Sequence, residues 1–467
     1  MAINAYVSGF DSPCQSGCIT DLEAEKVIDI KEWLVGTKTC VNHATSKWWW
    51  NVALSESYCN ECYLSEEDIT FLEENKRDFF QQLVREKIFE ENNIFDLDHI
   101  VFKLFTYFKS LLQDKQIEVV LFSDIPHGPY NYILYITAQH LKINTFFMFS
   151  SFWEDLSFIC KSVSEIGTFE LSSESLFPIE KKFEKYLPYM NVESRLSKLQ
   201  RKIKATCNIN NMIEKMRYRH RRYRMYHAFI EYYSILSLCR NLKRFRNSLL
   251  YTKYLKSKSI SNFDMSCKFV YFALHLQPEM TTDTLGGRFY DQCLAIKLLR
   301  QILPEDWVIA VKENPKQTWY MRSPEFFKRL ETIPNVVLLD KSINTYDLIK
   351  NSQFVATISG TVGWEAITGG KHALVFGVAW YRQFPGVTTY SKDITLRDIL
   401  EKRIDHGLIC RCAQNLRNTG YLFTANVDVI NRIEHLNIDE NLHSMKEAWR
   451  DKLLQLTTKN CSIPRAL

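Results

Sequence analysis

Short apolar runs alternate with amphipathic stretches along the second half of the chain, from residue 268 onward. The apolar runs have the length of buried parallel strands, which we predict at 269–275, 307–312, 335–339, 354–359 and 373–377. Helical spacing between them predicts helices at 289–303, 324–331, 345–351 and 361–368. Strands that alternate with helices in this way predict a parallel sheet with right-handed crossovers.

A similar but shorter pattern lies in the first half. We predict strands at 117–122 and 144–149, with a helix at 130–141 between them. The residues before this unit are harder to interpret, apart from acidic helical pieces at 66–93 and an apolar helix at 99–112. Asp96 and Asp98 have the spacing of a DxD metal motif, but their place before a helix favours N-capping, so we expect no metal there.

Length and composition support two domains in a globular protein. The 467 residues suit two domains of roughly 200 residues each. The hydrophobic share of 46% and the charged share of 24% exclude large-scale disorder. The most apolar stretch, 132–149, is interrupted by polar residues, and the first residues lack a secretory pattern. We therefore expect a cytoplasmic protein.

Positive charge is concentrated in one helical segment. Residues 178–258 have helical spacing, and 201–258 contain 16 Lys and Arg against Glu214 and Glu231, in a chain of net charge +5. An anionic membrane surface on the cytoplasmic side is the partner that we favour. A nucleic acid is the alternative, because tyrosines lie between the arginines, and a solvated helix face is the plainest interpretation.

Thirteen cysteines in a chain of this length favour buried, reduced thiols. A group near the start, with Cys14, Cys18, Cys40, Cys59 and Cys62, leaves a zinc site open. Cys59 and Cys62 have zinc-knuckle spacing, but no second CxxC follows at the usual distance. We predict no metal and no cofactor.

The most informative stretch runs from Thr357 to Ala366, where an apolar strand ends in small polar residues and a helix begins. Free N–H groups at such a helix start suit a phosphate. We therefore expect Ser359, Gly360 and Thr361 to bind one. A capped helix with glycines for packing is the alternative, since the stretch matches neither a Walker A nor a GxGxxG motif.

Two further strand ends carry polar side chains. Lys312 and Asn314 follow one strand, where they are either a phosphate clamp or solvated charges. The first strand of this half is followed by a larger set of polar side chains: His275, Gln277, Glu279, Thr281 and Thr282. For the histidine of this set, a purely structural role is the alternative. Strand ends of a parallel sheet meet at one edge, so these side chains should converge on one site.

With these residues, the stretch 268–390 resembles the bacterial capsule polysaccharide biosynthesis family, which includes β-Kdo transferases. The resemblance rests on several motifs in fixed order. They are His275-Leu276-Gln277-Pro278-Glu279 with Thr281-Thr282, Lys312-Glu313-Asn314-Pro315, Arg322-Ser323-Pro324, Pro334-Asn335-Val336, Thr357 to Ala366, Gly370-Lys371, Phe376-Gly377, Trp380-Tyr381 and Pro385-Gly386-Val387. Pro126-His127 matches more loosely, whereas the first hundred residues and the basic helices show no usable resemblance.

The resemblance implies a metal-independent, GT-B-like α/β fold, with two Rossmann-like lobes across a cleft and a basic helical insertion. The expected parts are an acceptor-side lobe at 1–262, a nucleotide-sugar lobe at 263–395, and helices at 396–467 that complete both lobes. It also implies a CMP-activated ulosonic acid as donor, such as Kdo or a nonulosonic acid, and a glycan or glycolipid acceptor. Lys312, Asn314, Ser359 and Thr361 would contact CMP, although relatives commonly have His at the position of Asn314.

A catalytic group is expected from the N-terminal lobe, opposite the phosphate site. Asp124 and His127 follow the strand 117–122, and either could act as a base or, for a carboxylate, as a nucleophile. A capped turn and a packed histidine are the structural alternatives. For the whole protein, the alternatives are a transferase that uses a CDP-activated alcohol and a non-enzymatic membrane or nucleic-acid binder.

Overall fold

Two α/β lobes, each built on one six-stranded sheet, form the computed structural model of this protein. The structure describes residues 2–36, 41, 43–49, 52, 63–85, 93–183, 235–425, 430 and 436–460. Most of the predicted basic segment, 201–234, lies outside these residues.

The N-terminal sheet has the strand order β3-β2-β1-β4-β5-β6. Its neighbours pair in parallel, except for the antiparallel pair β5 and β6. The strands are β1 (Ile3–Ser8), β2 (Ile28–Val35), β3 (Ser46–Trp48), β4 (Val119–Phe122), β5 (Asn144–Ser150) and β6 (Ser157–Cys160). The helices are α1 (Pro13–Ala24), α2 (Glu66–Arg85), α3 (Ile94–Asp114) and α4 (Pro129–His140).

The C-terminal sheet repeats this order with all strands parallel, as β12-β11-β10-β7-β8-β9. After the long helix α5 (Ile235–Lys258) come β7 (Phe269–Ala273), α6 (Met280–Asp283), α7 (Gln292–Ile302), β8 (Val308–Lys312), α8 (Pro324–Glu331) and β9 (Val336–Leu339). They are followed by α9 (Thr345–Asn351), β10 (Val355–Thr357), α10 (Thr361–Thr368), β11 (Ala373–Val375) and β12 (Val387–Thr389).

Three further helices complete the described chain: α11 (Leu396–Leu400), α12 (His406–Asn418) and α13 (Ile438–Asn460). α11 places Ile399 in the core of the C-terminal lobe. α13 returns to the N-terminal lobe, where Trp449 packs edge-on against Phe10, with ring centroids 5.6 Å apart. None of the described helices has the length and apolar character needed to cross a bilayer.

The fold prediction is confirmed: both sheets have the strand order of a Rossmann fold, in which the first and fourth strands are neighbours. The main correction concerns β1, the central strand of the N-terminal sheet, which the sequence analysis did not find. Its sequence, Ile-Asn-Ala-Tyr-Val-Ser, mixes polar and apolar residues, although all but Asn4 are buried. A hydrogen bond from the Ser8 hydroxyl to Asn131 (2.5 Å) allows this end of the strand to be buried.

Several predicted boundaries were also wrong, because caps decide where a helix begins. The helix predicted at 99–112 begins at Ile94, where Asn93 and Asp96 form a capping box. Asp98 lies within it and pairs with Lys76 (2.9 Å). The helix predicted at 289–303 begins at Gln292, capped by Asp291 after a 3-10 turn. The observed strands of the C-terminal lobe are each shorter than predicted, by one to three residues.

Candidate functional site

A cavity of about 330 Å³ lies at the carboxyl ends of β7, β8 and β10. Because β7 and β10 are the first and fourth strands of their sheet, this is the topological switch point, where such sheets bind ligands. Phe149 of β5 also lines the cavity, so the N-terminal lobe contributes to its wall. The predicted residues that line it are His275, Glu279, Thr281, Asn314, Ser359, Gly360 and Thr361.

His275 is a buried, neutral hydrogen-bond acceptor. Its Nε2 accepts from the Thr357 hydroxyl (2.8 Å) and from the Ser359 N–H (3.4 Å), which places its proton on Nδ1. Burial and the positive charge of Arg322 lower the pKa of His275 to about 4. The imidazole therefore holds β7 and β10 together at neutral pH and carries no positive charge for a phosphate.

The start of α10 is open at the cavity wall. Gly360 is the N-cap residue and supplies no side-chain cap, while Gly360, Thr361 and Val362 line the cavity. A side chain at Gly360 would collide with His275, because an added Cβ would lie 2.9 Å from Nε2. The Ser359 hydroxyl donates to the carbonyl of Thr281 (2.6 Å), which ties α6 to the strand end. The helix start therefore offers backbone N–H groups and the positive end of its dipole.

A buried polar network fixes the loops behind the cavity. The Arg322 guanidinium pairs with Glu313 (2.9 Å), and both side chains are fully buried. Arg322 also donates to the carbonyl of His275 (2.7 Å) and to the side chain of Gln277. The Gln292 amide accepts from the His275 N–H (2.8 Å). A buried charge pair that is hydrogen-bonded in this way fixes geometry more than it adds stability.

Three of the site residues predicted in the C-terminal lobe do not line this cavity. Lys312 donates through Nζ to Thr345 (3.0 Å) and to the carbonyl of Ile343, so it braces the start of α9. Gln277 belongs to the buried network, and its amide donates to the carbonyl of Tyr290 (2.7 Å). The Thr282 hydroxyl donates to the carbonyl of Leu276 (2.8 Å) and shapes the loop after β7.

The sequence analysis missed one cation that does line the cavity. Lys316 lies just beyond β8 and is exposed. Its N–H donates to the Asn314 side chain (2.9 Å), which turns the chain after the strand. The Asn-Pro pair that precedes it is a turn signal, and it could have indicated that the first lysine after the turn faces the cleft.

Asp124 lies at the switch point of the N-terminal sheet, beyond the end of β4. Its side chain is exposed, while surrounding protein desolvates the carboxyl and raises its pKa, against the opposing effects of His127 and the Ile125 N–H. His127 donates from Nδ1 to the carbonyl of Ile125 (2.6 Å). Neither side chain lines the cavity of the C-terminal lobe.

Polar contacts across the lobes connect these two switch points. The Thr284 hydroxyl, just after α6, donates to the carbonyl of Pro126 (3.1 Å) in the Asp124 loop. Asp283 pairs with Arg85 of α2 (3.0 Å) and accepts from Gln81 (3.0 Å). The segment that Ser359 fixes on the cavity side thus also contacts the N-terminal lobe, next to the loop that contains Asp124.

The zinc hypothesis receives no support from the described residues. Cys14 and Cys18 are buried free thiols in the core of the N-terminal lobe, and burial raises the pKa of both. Cys40, Cys59 and Cys62 lie outside the described residues. Among the residues that are described, no group of three or more His, Cys, Asp or Glu side chains could hold a metal ion.

Comparison with known families adds to this geometry. The family model for capsule polysaccharide biosynthesis proteins matches residues 177–405. This part of the chain is therefore similar to that family. The match contains β7 to β12 and the whole switch-point cavity apart from Phe149. It begins well before residue 268, so it also contains the basic segment 201–258, for which the sequence motifs gave no resemblance.

Solved structures with a similar fold are distant in sequence. The beta Kdo 2,7 transferase part of KpsC from Thermosulfurimonas dismutans is 12% identical and covers 75% of this chain and 89% of its own, with a TM-score of 0.31. The UDP-GlcNAc 2-epimerase of Methanocaldococcus jannaschii is 11% identical and covers 97% of this chain and 99% of its own, with a TM-score of 0.23. No curated protein gives a significant match.

Proposed function

We propose that this protein is a glycosyltransferase of surface-polysaccharide biosynthesis, with a CMP-activated ulosonic acid as donor and a glycan or glycolipid as acceptor. The observation that carries the proposal is the open start of α10 at the switch-point cavity. The match of residues 177–405 to the capsule polysaccharide biosynthesis family supports a biological setting for this phosphate-compatible cavity. The proposed donor follows from the motif resemblance at residues 268–390.

In the proposed mode of binding, the donor phosphate lies against the N–H groups of Gly360, Thr361 and Val362. The dipole of α10 favours a negative charge there, and Lys316 adds a mobile positive charge at the cavity wall. Neutral His275 holds the helix start in position through the Ser359 N–H. These groups stabilise the phosphate as its bond to the sugar breaks.

Asp124 is the proposed catalytic group, with His127 as the alternative. As a base, the Asp124 carboxylate takes the proton of the acceptor hydroxyl while that oxygen bonds to the anomeric carbon and CMP leaves. As a nucleophile, it bonds to the anomeric carbon first, and the acceptor then displaces it. Both roles need the ionised form of Asp124. Because its pKa is raised, we expect turnover to fall with decreasing pH at a higher pH than an ordinary aspartate would give.

The decisive experiment is a thermal-shift screen against CMP, CDP, UDP and GDP. A ligand at a hundred times its dissociation constant adds about 2.7 kcal/mol to the free energy of unfolding. We expect CMP to stabilise the protein, Lys316→Ala to weaken the effect, and Lys392→Ala, an exposed lysine elsewhere on the lobe, to leave it unchanged. Stabilisation by another nucleotide instead of CMP would indicate a donor activated by that nucleotide. Absence of stabilisation by all four nucleotides would contradict the proposal.

The outward face of α5 supports a peripheral position at the inner face of the membrane. Leu242, Phe245 and Leu249 are 58%, 62% and 55% exposed and lie on one side of the helix. Residues 242–258 contain six Lys and Arg and no Asp or Glu, so apolar insertion and attraction to anionic lipid act together. We expect the protein to float with phosphatidylglycerol vesicles. Added salt and the substitution Phe245→Ser should each reduce the fraction of protein that floats. Equal flotation with neutral vesicles contradicts this position.

A further inference from the structure

A second and larger cavity lies on the other side of the loop that follows β7. Its volume is about 630 Å³, within the range of about 300–1,000 Å³ that is typical of ligand pockets. His275, Leu276 and Glu279 line the switch-point cavity, whereas Gln277 of the same loop lines the second one. The two cavities therefore share a wall, and a ligand in the second is one loop away from the proposed reaction.

Aromatic and hydrogen-bonding groups together line the second cavity. The aromatic side chains come from α5, from the turn before α7 and from the region between β8 and α8, and include Tyr251, Tyr254, Tyr290, Trp319, Tyr320 and Phe326. Asn247, Asp291 and Ser323 add donors and acceptors. Sugars present both apolar C–H faces and hydroxyl groups, and this lining offers partners to both. A lipid chain would leave the polar groups without partners.

The ring geometry disfavours a flat nucleobase. Trp319 and Tyr320 lie with their planes 88° apart, so they do not form a parallel slot. Tyr254 is already stacked on Phe327, with ring centroids 4.8 Å apart, which leaves no space for a base between them. Single faces and edges at varied angles suit the puckered ring of a sugar better.

An arginine from the other lobe gives the cavity its charge. Arg77 of α2 is exposed and donates through Nε to the Tyr290 hydroxyl (2.5 Å). Asp291 and Asp78 attract the Arg77 charge and help to raise its pKa, while its direct hydrogen bond is to Tyr290. The carboxylate in the cavity wall, Asp291, pairs instead with Arg329 (2.8 Å). Arg77 therefore offers a guanidinium to an anionic group of a ligand, and a carboxylate matches its geometry.

We propose that this second cavity binds an acidic oligosaccharide, as a subsite for the part of the acceptor remote from the reaction. Sugar rings pack against Trp319 and its aromatic neighbours, and a sugar carboxylate pairs with Arg77. Because Arg77 belongs to the N-terminal lobe and Trp319 to the C-terminal lobe, the bound glycan spans the edge of the cleft. The inference rests on the proposed function for the role of the glycan, although binding itself requires no donor.

The test is calorimetric titration of the whole protein without donor. The probes are a hexamer of α2,8-linked N-acetylneuraminic acid, which is acidic, and maltohexaose, which is neutral. We expect the acidic hexamer to bind and maltohexaose to bind far more weakly. Arg77→Gln should weaken acidic-hexamer binding about tenfold, the loss of one charge-assisted hydrogen bond. Trp319→Ala should weaken it further, and Arg397→Gln, an exposed arginine on α11, should change nothing.

The CMP thermal shift, measured on the same proteins, separates the two proposals. A wild-type protein that CMP stabilises but that does not bind the acidic hexamer overturns the glycan subsite alone. Equal hexamer affinity of wild type, Arg77→Gln and Trp319→Ala also overturns it. Loss of CMP stabilisation in both cavity variants assigns the cavity to the nucleotide instead. If the hexamer binds in an Arg77-dependent manner but no nucleotide stabilises the protein, the glycan subsite is supported and the proposed donor is contradicted.

Discussion

At the scale of single residues, surroundings decide which of the polar side chains can act on a ligand. His275 and Lys312 both stand near strand ends, yet His275 accepts two hydrogen bonds and Lys312 braces a neighbouring helix. Lys316, four positions after Lys312, lines the cavity instead. The types of these residues and their positions along the chain predicted a polar site. The hydrogen bonds of each side chain decide which of them are available to a ligand.

The low pKa of His275, about 4, predicts a distinct pH dependence. The unfolded histidine has a pKa of about 6.5, so the unfolded chain binds the extra proton first as the pH falls. The free energy of unfolding should therefore drop by about 1 kcal/mol per pH unit between about 6.5 and 4. Urea unfolding of wild type and His275→Gln tests this. A difference between them that stays constant from pH 7 to pH 4.5 would contradict it.

The two lysines should differ in what their removal affects. Lys316→Ala should weaken nucleotide binding about tenfold and leave the free energy of unfolding unchanged, because the side chain is exposed at the cavity. Lys312→Ala should instead cost about 1–3 kcal/mol of stability, because the buried Lys312 side chain loses its hydrogen bonds to half-buried partners at the start of α9. Nucleotide titration and urea unfolding of both variants measure this, and the reverse pattern would restore Lys312 as the phosphate contact.

At the scale of elements, the start of α10 depends on the close approach of β7 and β10. Gly360 permits the approach, because the place of its missing Cβ is taken by His275 Nε2 and Thr357 Oγ1, each 2.9 Å away. Tyr381 donates to the Gly360 carbonyl from the next layer. The same contacts that position the helix start therefore exclude a larger residue.

Gly360→Ala should destabilise the protein by about 1–3 kcal/mol and weaken nucleotide binding, because the new methyl group pushes His275 from the strand end. Gly17→Ala in α1 is the matched control. Its Cβ would meet Leu442 at an ordinary 3.6 Å, and alanine should gain about 0.5–1 kcal/mol in a helix interior. Thermal unfolding with and without CMP measures the stability and the nucleotide binding of both variants. Equal stability and equal CMP stabilisation of the two variants would contradict a steric role of Gly360.

At the scale of the whole molecule, the cleft depends on contacts that join the lobes. Asp283 is fully buried between Arg85 and Gln81 of α2. Burial raises the pKa of Asp283 to about 6, with Arg85 and Gln81 opposing the shift. An aromatic contact, Phe152 stacked on Trp380 at 5.4 Å between centroids, joins the lobes through apolar surface.

This raised pKa predicts how the inter-lobe contact responds to pH. The unfolded carboxyl has a pKa of about 3.9, so the folded protein holds the proton more tightly. The stability contribution of Asp283 is fully present below pH of about 4 and is lost as the pH rises through about 6. Wild type should therefore lose stability relative to Asp283→Asn over this range. Asp393→Asn, at an exposed site, should show no such trend, and a parallel response of the two variants would contradict the assignment.

The sequence predicted the C-terminal lobe better than the N-terminal lobe, for a physical reason. Strands β7, β8, β10 and β11 are buried along most of their length and therefore appear as apolar runs between amphipathic helices. The helices α8, α9 and α10 were predicted with their observed ends. β1 escaped detection because polar residues within and next to it find partners such as Asn131 in distant parts of the chain. No local pattern predicts such partners.

For the candidate site, the sequence by itself determined which loops meet at the cavity, because parallel strands bring their carboxyl ends to one edge. It also placed His275, Asn314 and the start of α10 around one cavity. Only the tertiary structure decided that Lys312 and Gln277 serve the scaffold, that Lys316 lines the cavity, and that a second cavity opens behind the loop after β7. Side-chain direction and burial follow from contacts between distant segments, and residue order alone does not contain those contacts.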